Sequence, residues 1–183
     1  MARRCPTRDP LPCGPACRIP LSVLLLALLP AGLLAQSGAG AGTGAGSTGA
    51  DREAVLGVVR TLFDGMRQKD EALLRSVFHP EARLHTAATD AAGAPATPGG
   101  TAEAFVGRVL AGRAHLDEVT FDEVVLVEGN LAMAWTPYNL FVDGAFQHCG
   151  VDLFVMTRAV GGWEILQLVD TRRRDGCDPE RRG

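Results

Sequence analysis

After residue 35 the sequence has no apolar run approaching the ~20 residues needed to cross a bilayer, so no stable membrane anchor is expected. It also has no basic patch, and nucleic acid would find nothing to hold. Arginine concentrates only at 172–174 and 181–182, where Asp175, Asp178 and Glu180 interrupt it, and the stretch reads as a solvated tail. There is no Gly-x-Ser-x-Gly, no P-loop and no dinucleotide fingerprint, which sets aside nucleophile-elbow hydrolases, P-loop enzymes and Rossmann oxidoreductases. His-x-x-x-His and closely spaced Cys pairs are missing too, so neither a metal nor a cofactor is expected.

What is present begins with an address. Leu21 to Ala35 is a short apolar run behind a basic stretch holding Arg3, Arg4, Arg8 and Arg18, and it ends on a small residue. That order is the one a cleavable secretory signal uses. Cys5, Cys13 and Cys17 all precede the run, so a lipoprotein anchor is not indicated. Loss of residues 1–35 removes four Arg and one Asp, and carries the net charge from −3 to about −6. The expected destination is the periplasm or the exterior. Residues 36–50 contain Gly, Ala, Ser and Thr with one Gln, a composition that makes a tether rather than a core. Two cysteines remain, Cys149 and Cys177, and in an oxidising compartment an even pair is expected to bond.

The folded domain is expected over 51–178, with 179–183 as a polar tail. Asp51 is placed to cap a first helix, in which Val55, Val58, Val59, Leu62, Phe63 and Met66 recur at helical spacing. A second, short helix carries Leu73, Leu74 and Val77 and is expected to close at Phe78-His79-Pro80. Residues 82–88 suit a short strand and 90–100 a loop, after which Thr101 caps a third helix. The period then changes to two. One strand is expected across Val119, Phe121 and Val124–Val127, followed by Leu131–Val142, Phe146–Thr157 and Trp163–Thr171. Asp143-Gly144 is a hairpin turn signal, and Pro137 suggests a bulge within its strand. Helices followed by antiparallel hairpins make an α+β class.

Three stretches carry a resemblance: "LFDGMRQKDEALLRSVFHPEARL" (Leu62–Leu84), "WTPYNLFVDGAFQHCGVDLFVMTR" (Trp135–Arg158) and "GWEILQLVDTRR" (Gly162–Arg173). Over about Asp51 to Cys177 the chain resembles the nuclear transport factor 2-like (SnoaL-like) superfamily, and within it looks most like the lumazine-binding subset. The resemblance implies a cone: three N-terminal helices packed on a curved antiparallel sheet, with an apolar pocket at the open end. It implies a small apolar or heteroaromatic ligand, and homodimers are common among such folds. The same cone hosts isomerases, cyclases, dehydratases and non-catalytic binders, so the residues must decide among them.

Four groups of residues could carry chemistry in such a pocket. His148 and Asp152 lie four apart on one strand, so they share a face, with Gly150 between them leaving space. They suit either an acid–base couple or a structural hydrogen bond. With a hairpin centred near residue 161, Asp170 falls opposite Asp152, where two carboxylates would share a proton unless Arg172 or Arg173 neutralises one. A one-residue slip would turn Asp170 away. Trp135 and Tyr138 could stack on a flat ligand or serve as core. His79 would suit a helix C-terminus, and His85 could face the pocket. The same hairpin sets residue 149 near 173, which brings Cys177 within reach of Cys149. Three readings therefore stand open: a small-molecule binder, an enzyme using Asp152 with Tyr138 or His148, and a dimerisation module without ligand.

Overall fold

The computed structural model describes residues 49–181, and the signal and most of the tether fall outside them. Helix α1 (Gly49–Gln68) buries Val55, Val59, Leu62, Phe63 and Met66 along one stripe. It starts two residues before Asp51, which therefore sits in the first turn and is not the N-cap. There its carboxylate pairs with Arg158 at 2.5 Å, at the helix end where a negative charge is favoured. Helix α2 (Glu71–Ser76) is capped by Asp70, whose side chain accepts from the Leu73 N–H.

The Phe78-His79-Pro80 segment does not close α2. It opens strand β1 (Phe78–Thr89), which is longer than the 82–88 expected. Pro80 cannot donate to a ladder, and the pairing of β1 with its neighbour is interrupted between Phe78 and Arg83. His79 Nδ1 accepts from the Glu81 N–H at 3.1 Å, so this imidazole supports the interruption and no helix terminus. The expected loop at 90–100 carries two short strands, β2 (Pro95–Ala96) and β3 (Gly99–Thr101), both paired with β1. Thr101 caps helix α3 (Ala102–Ala111), its Oγ1 accepting from the Ala104 N–H at 3.1 Å.

Five strands follow: β4 (Leu116–Thr120), β5 (Val124–Glu128), β6 (Leu131–Val142), β7 (Ala145–Ala159) and β8 (Gly162–Arg173). The single strand expected across 119–127 is two, broken at Asp122, whose φ is 51°. Pro137 explains the break. It stays in register with Val151 on β7, and the irregularity in this pairing lies between Leu140 and Phe141, where Gln147 is the extra residue on β7. Its carbonyl accepts from the Phe121 N–H, so its missing N–H faces the same side, towards β4 and β5. No ladder can run through that point, and β6 changes partner there. The Asp143-Gly144 turn has φ of 51° and 81°, the primed hairpin its sequence announces.

The strands run β2-β1-β8-β7-β6-β4, with β5 also on β6. All neighbours are antiparallel except β1 and β8, which are parallel, so the sheet is mixed. The α+β class holds. Leu62, Phe63, Leu74, Phe154, Met156 and Ile165 form the centre of the core, with Phe63 set edge-on to Phe154 at 6.3 Å. The Arg-rich C-terminus is more than a solvated tail. Asn139 Nδ2 donates to the carbonyls of Asp178 (2.9 Å) and Arg181 (3.0 Å), and Arg181 pairs with Asp122 and stacks 4.6 Å over Phe121.

Candidate functional site

The hairpin register decides which side chains meet. Asp152 is directly opposite Asp170, and Cys149 is opposite Arg173. Continued across the sheet, the pairing arranges the inner face in rows. Glu118, Leu140 and His148 form one, and Thr120, Tyr138, Gly150 and Arg172 the next. Then come Thr136, Asp152, Asp170 and Thr86, and after them the apolar row of Val125, Ala134, Phe154, Leu168 and Leu84. Polar rows thus sit at one end of the concave face and apolar rows at the other. Between this wall and the helices lies a cavity of about 520 Å³, lined on its apolar side by Leu62, Phe63, Met66, Phe105, Leu116 and Leu168.

Tyr138 is the hinge of the polar wall. It is buried, and its hydroxyl donates to the Thr171 carbonyl at 3.0 Å. The phenol has no second proton, so His148 Nε2, 3.1 Å away, must carry a proton and donate to it. That fixes the His148 tautomer and leaves Nδ1 free to accept. Burial, with Arg172 nearby, pushes the His148 pKa down, and the ring is neutral at neutral pH. Gly150 makes the arrangement possible. A Cβ there would lie 1.8 Å from the Thr171 carbonyl oxygen and 2.9 Å from Tyr138 Cε1, so only glycine fits.

Three carboxyl groups face the same space. Arg172 donates to Asp170 at 2.6 Å and neutralises it, one of the two outcomes the sequence left open. Asp152 bonds instead to Glu118, and two carboxyl groups can share a hydrogen bond only if at least one keeps its proton. Burial and the neighbouring Glu118 hold the Asp152 pKa well above the carboxylate range. Glu118 is pushed up to about 7, by burial first and by Asp170 next. Both shifts run in the direction that favours a proton shared between the two acids.

Glu118 is the residue that sequence reasoning missed. Val119 and Phe121 look like the buried side of their strand, which sends Glu118 to solvent. In the structure the C-terminal segment covers that outer side through Arg181 and Asn139, so Leu116, Glu118 and Thr120 turn inward. The sequence signal is the same alternation read with the opposite sign.

His85 borders the cavity beside Gly99, and its Nδ1 is buried without a hydrogen-bond partner. Trp135 is corrected. It is 43% exposed, on the outer face opposite Val124 and Leu153, and cannot stack on a ligand in the cone. No cluster of metal-ligating side chains occurs among the described residues. Cys149 and Cys177 are bonded, with Cα atoms 5.9 Å apart.

The geometry agrees with what the chain is similar to. A family described as "Putative lumazine-binding" matches residues 50–169. A conserved protein from Planctomyces limnophilus superposes with a TM-score of 0.58 at 17% identity, over 68% of this chain and 97% of its own. An NTF2-like protein from Cytophaga hutchinsonii gives 0.56 at 14% identity, over 67% and 98%. One from Shewanella baltica, of unknown function, gives 0.53 at 13% identity, over 69% and 96%. Identities this low speak for the fold alone. No curated protein matches the chain.

Proposed function

The chain belongs to this lumazine-binding family, within the nuclear transport factor 2-like superfamily, and from that premise we propose that it is an exported protein that holds one small, mostly apolar or heteroaromatic molecule in its cone. The observation that carries the reading is the cavity itself. It has room for a ligand of roughly 15 to 25 heavy atoms, an apolar floor, and a few oriented polar groups on one wall. Export is supported by the signal-like start and by the disulfide, which suits an oxidising compartment. No helix among the described residues is long and apolar enough to cross a membrane.

A neutral fluorophore tests the pocket. N-phenyl-1-naphthylamine should bind one to one, with a blue-shifted emission. Gly100 lines the cavity and a Cβ added there meets open space, so Gly100→Phe should fill the cavity without disturbing the fold. At least tenfold weaker binding at an unchanged melting temperature is expected. Equal binding by the two proteins would refute the reading.

A second reading rests on the Glu118–Asp152 pair. A proton held between two acids beside a neutral His148 is the equipment of proton transfer at a substrate carbon, as in isomerases and dehydratases. If a molecule co-purifies with the protein, wild type should exchange one of its C–H protons for deuterium in D2O. Asp152→Asn should lose that exchange, and equal exchange in both would remove the acid–base role.

The outer face supports a homodimer as well. Val124, Leu126, Leu131 and Trp135 are 43–60% exposed and share one face of the β5–β6 pair. An apolar stripe on an edge is self-complementary across a twofold axis. Sedimentation velocity should show a dimer that Trp135→Glu converts to monomer, whereas a monomeric wild type would end this part of the proposal.

A further inference from the structure

The cavity is not closed at its polar end. Leu140, His148 and Arg172 belong both to its lining and to that of an open cleft, whose other walls are Val142, Gln147, Arg173 and Arg174. Cavity and cleft therefore share these three residues as a common wall. The charges differ along the path. Inside, Asp170 is matched by Arg172, and Glu118 and Asp152 share their proton, so the interior has no unmatched pair of negative charges waiting for a cation. At the cleft, Arg173 and Arg174 have no carboxylate within ion-pair distance among the described residues. Arg173 donates to the carbonyls of Asp175 and Gly176, which orders its guanidinium but leaves its charge uncompensated. Among the described residues Arg174 reaches only Gln147 Oε1, at 3.4 Å.

A chain with more acidic than basic groups has thus placed two unmatched cations in a cleft that shares a wall with an apolar cavity. We infer that the ligand is an amphipathic anion, with an aromatic or aliphatic body in the cone and a carboxylate, sulfonate or phosphate group in the Arg173–Arg174 cleft. This rests on the pocket reading above and adds the ligand's charge and direction. Guanidinium groups suit such a head because they present several N–H donors to its oxygens. A wholly neutral ligand would leave the cleft without a purpose, and a cationic one would have to pass it.

The test uses two probes that share one skeleton. 8-Anilinonaphthalene-1-sulfonate is N-phenyl-1-naphthylamine with an added sulfonate. At low salt the sulfonate should bind the mature, oxidised protein at least tenfold more tightly than the neutral probe. The gap should shrink several-fold in Arg173→Gln/Arg174→Gln, and also at about 0.5 M salt, where the Debye length is only a few ångströms. Arg172 is left in place because it holds Asp170, and Arg174→Gln alone, which keeps the Arg173 contacts to Asp175 and Gly176, guards against a folding defect in the double variant. Gly100→Phe should weaken both probes. Equal affinities, or a gap indifferent to both arginines, would overturn the inference while neutral-probe binding left the pocket reading standing. Sulfonate binding that survives Gly100→Phe would place the anion on the surface only and overturn it too. If the neutral probe does not bind at all, the pocket reading fails and this inference fails with it.

Discussion

Glu118→Gln should make the protein more stable at pH 8 and flatten its pH dependence between about 4.5 and 7. The sign follows from the direction of the shift. An unfolded chain releases the Glu118 proton near the ordinary value of 4.5, while the folded protein keeps it up to about 7. Below 4.5 both states hold the proton and the shift costs nothing. As pH rises through the window, only the unfolded state gains by ionising, so stability is lost until the folded-state pKa is passed. At about 1.36 kcal/mol per pH unit the loss is on the order of 3 kcal/mol. Asp152, also raised and with Glu118 among the causes, adds to the same slope. The introduced glutamine cannot ionise, and its amide can donate to Asp152, which relieves both groups. Urea unfolding at pH 5, 6, 7 and 8 measures this. Wild type should weaken steadily across the series and Glu118→Gln should change little, so parallel curves would refute the shared proton.

The contrast between Asp152 and Glu118 shows what a sequence can disclose. Counting outwards from the tight turn, where Ala159 faces Gly162, sets Asp152 opposite Val169, and only the irregularity between Val155 and Met156, with Leu166 as the extra residue, brings Asp170 opposite Asp152. Tyr138 comes opposite Gly150 through a second such slip, between Leu140 and Phe141, so a bulge-free count misses each of these pairings by one residue. Residues whose position depends on what covers a face are harder. Phe121 is apolar and faces outward, but Arg181, from the far end of the chain, lies over it. Trp135 is apolar and stays half exposed. Periodicity gives which residues share a face. It does not say which face is covered, since that depends on segments far away in the chain. Pro80 and Pro137 mislead in a related way. Each removes one N–H, and the consequence falls on the pairing with a neighbouring strand, so neither ends or bulges its own element where expected.

The disulfide provides the second large effect. Cys149→Ala/Cys177→Ala should lower the unfolding free energy by about 3 kcal/mol, since the bond joins residues 28 apart in the unfolded chain. For a domain this size that is roughly 10 °C in melting temperature. Dithiothreitol should reproduce the loss in wild type and leave the double variant unmoved. A change below about 0.5 kcal/mol would show that the bond merely decorates a segment held by other means. Those other means are specific. Asn139 holds the carbonyls of Asp178 and Arg181, and Arg181 holds Asp122 and Phe121, so the bond's local task is to keep this segment over the outer side of β4. Strand β4 is at the sheet edge and carries Glu118 on its inner side. Freed of its cover, the edge should fray first, and amide exchange at Leu116–Thr120 should quicken more than in β7. The staple at the surface would then be what holds the second acid of the buried pair in the pocket.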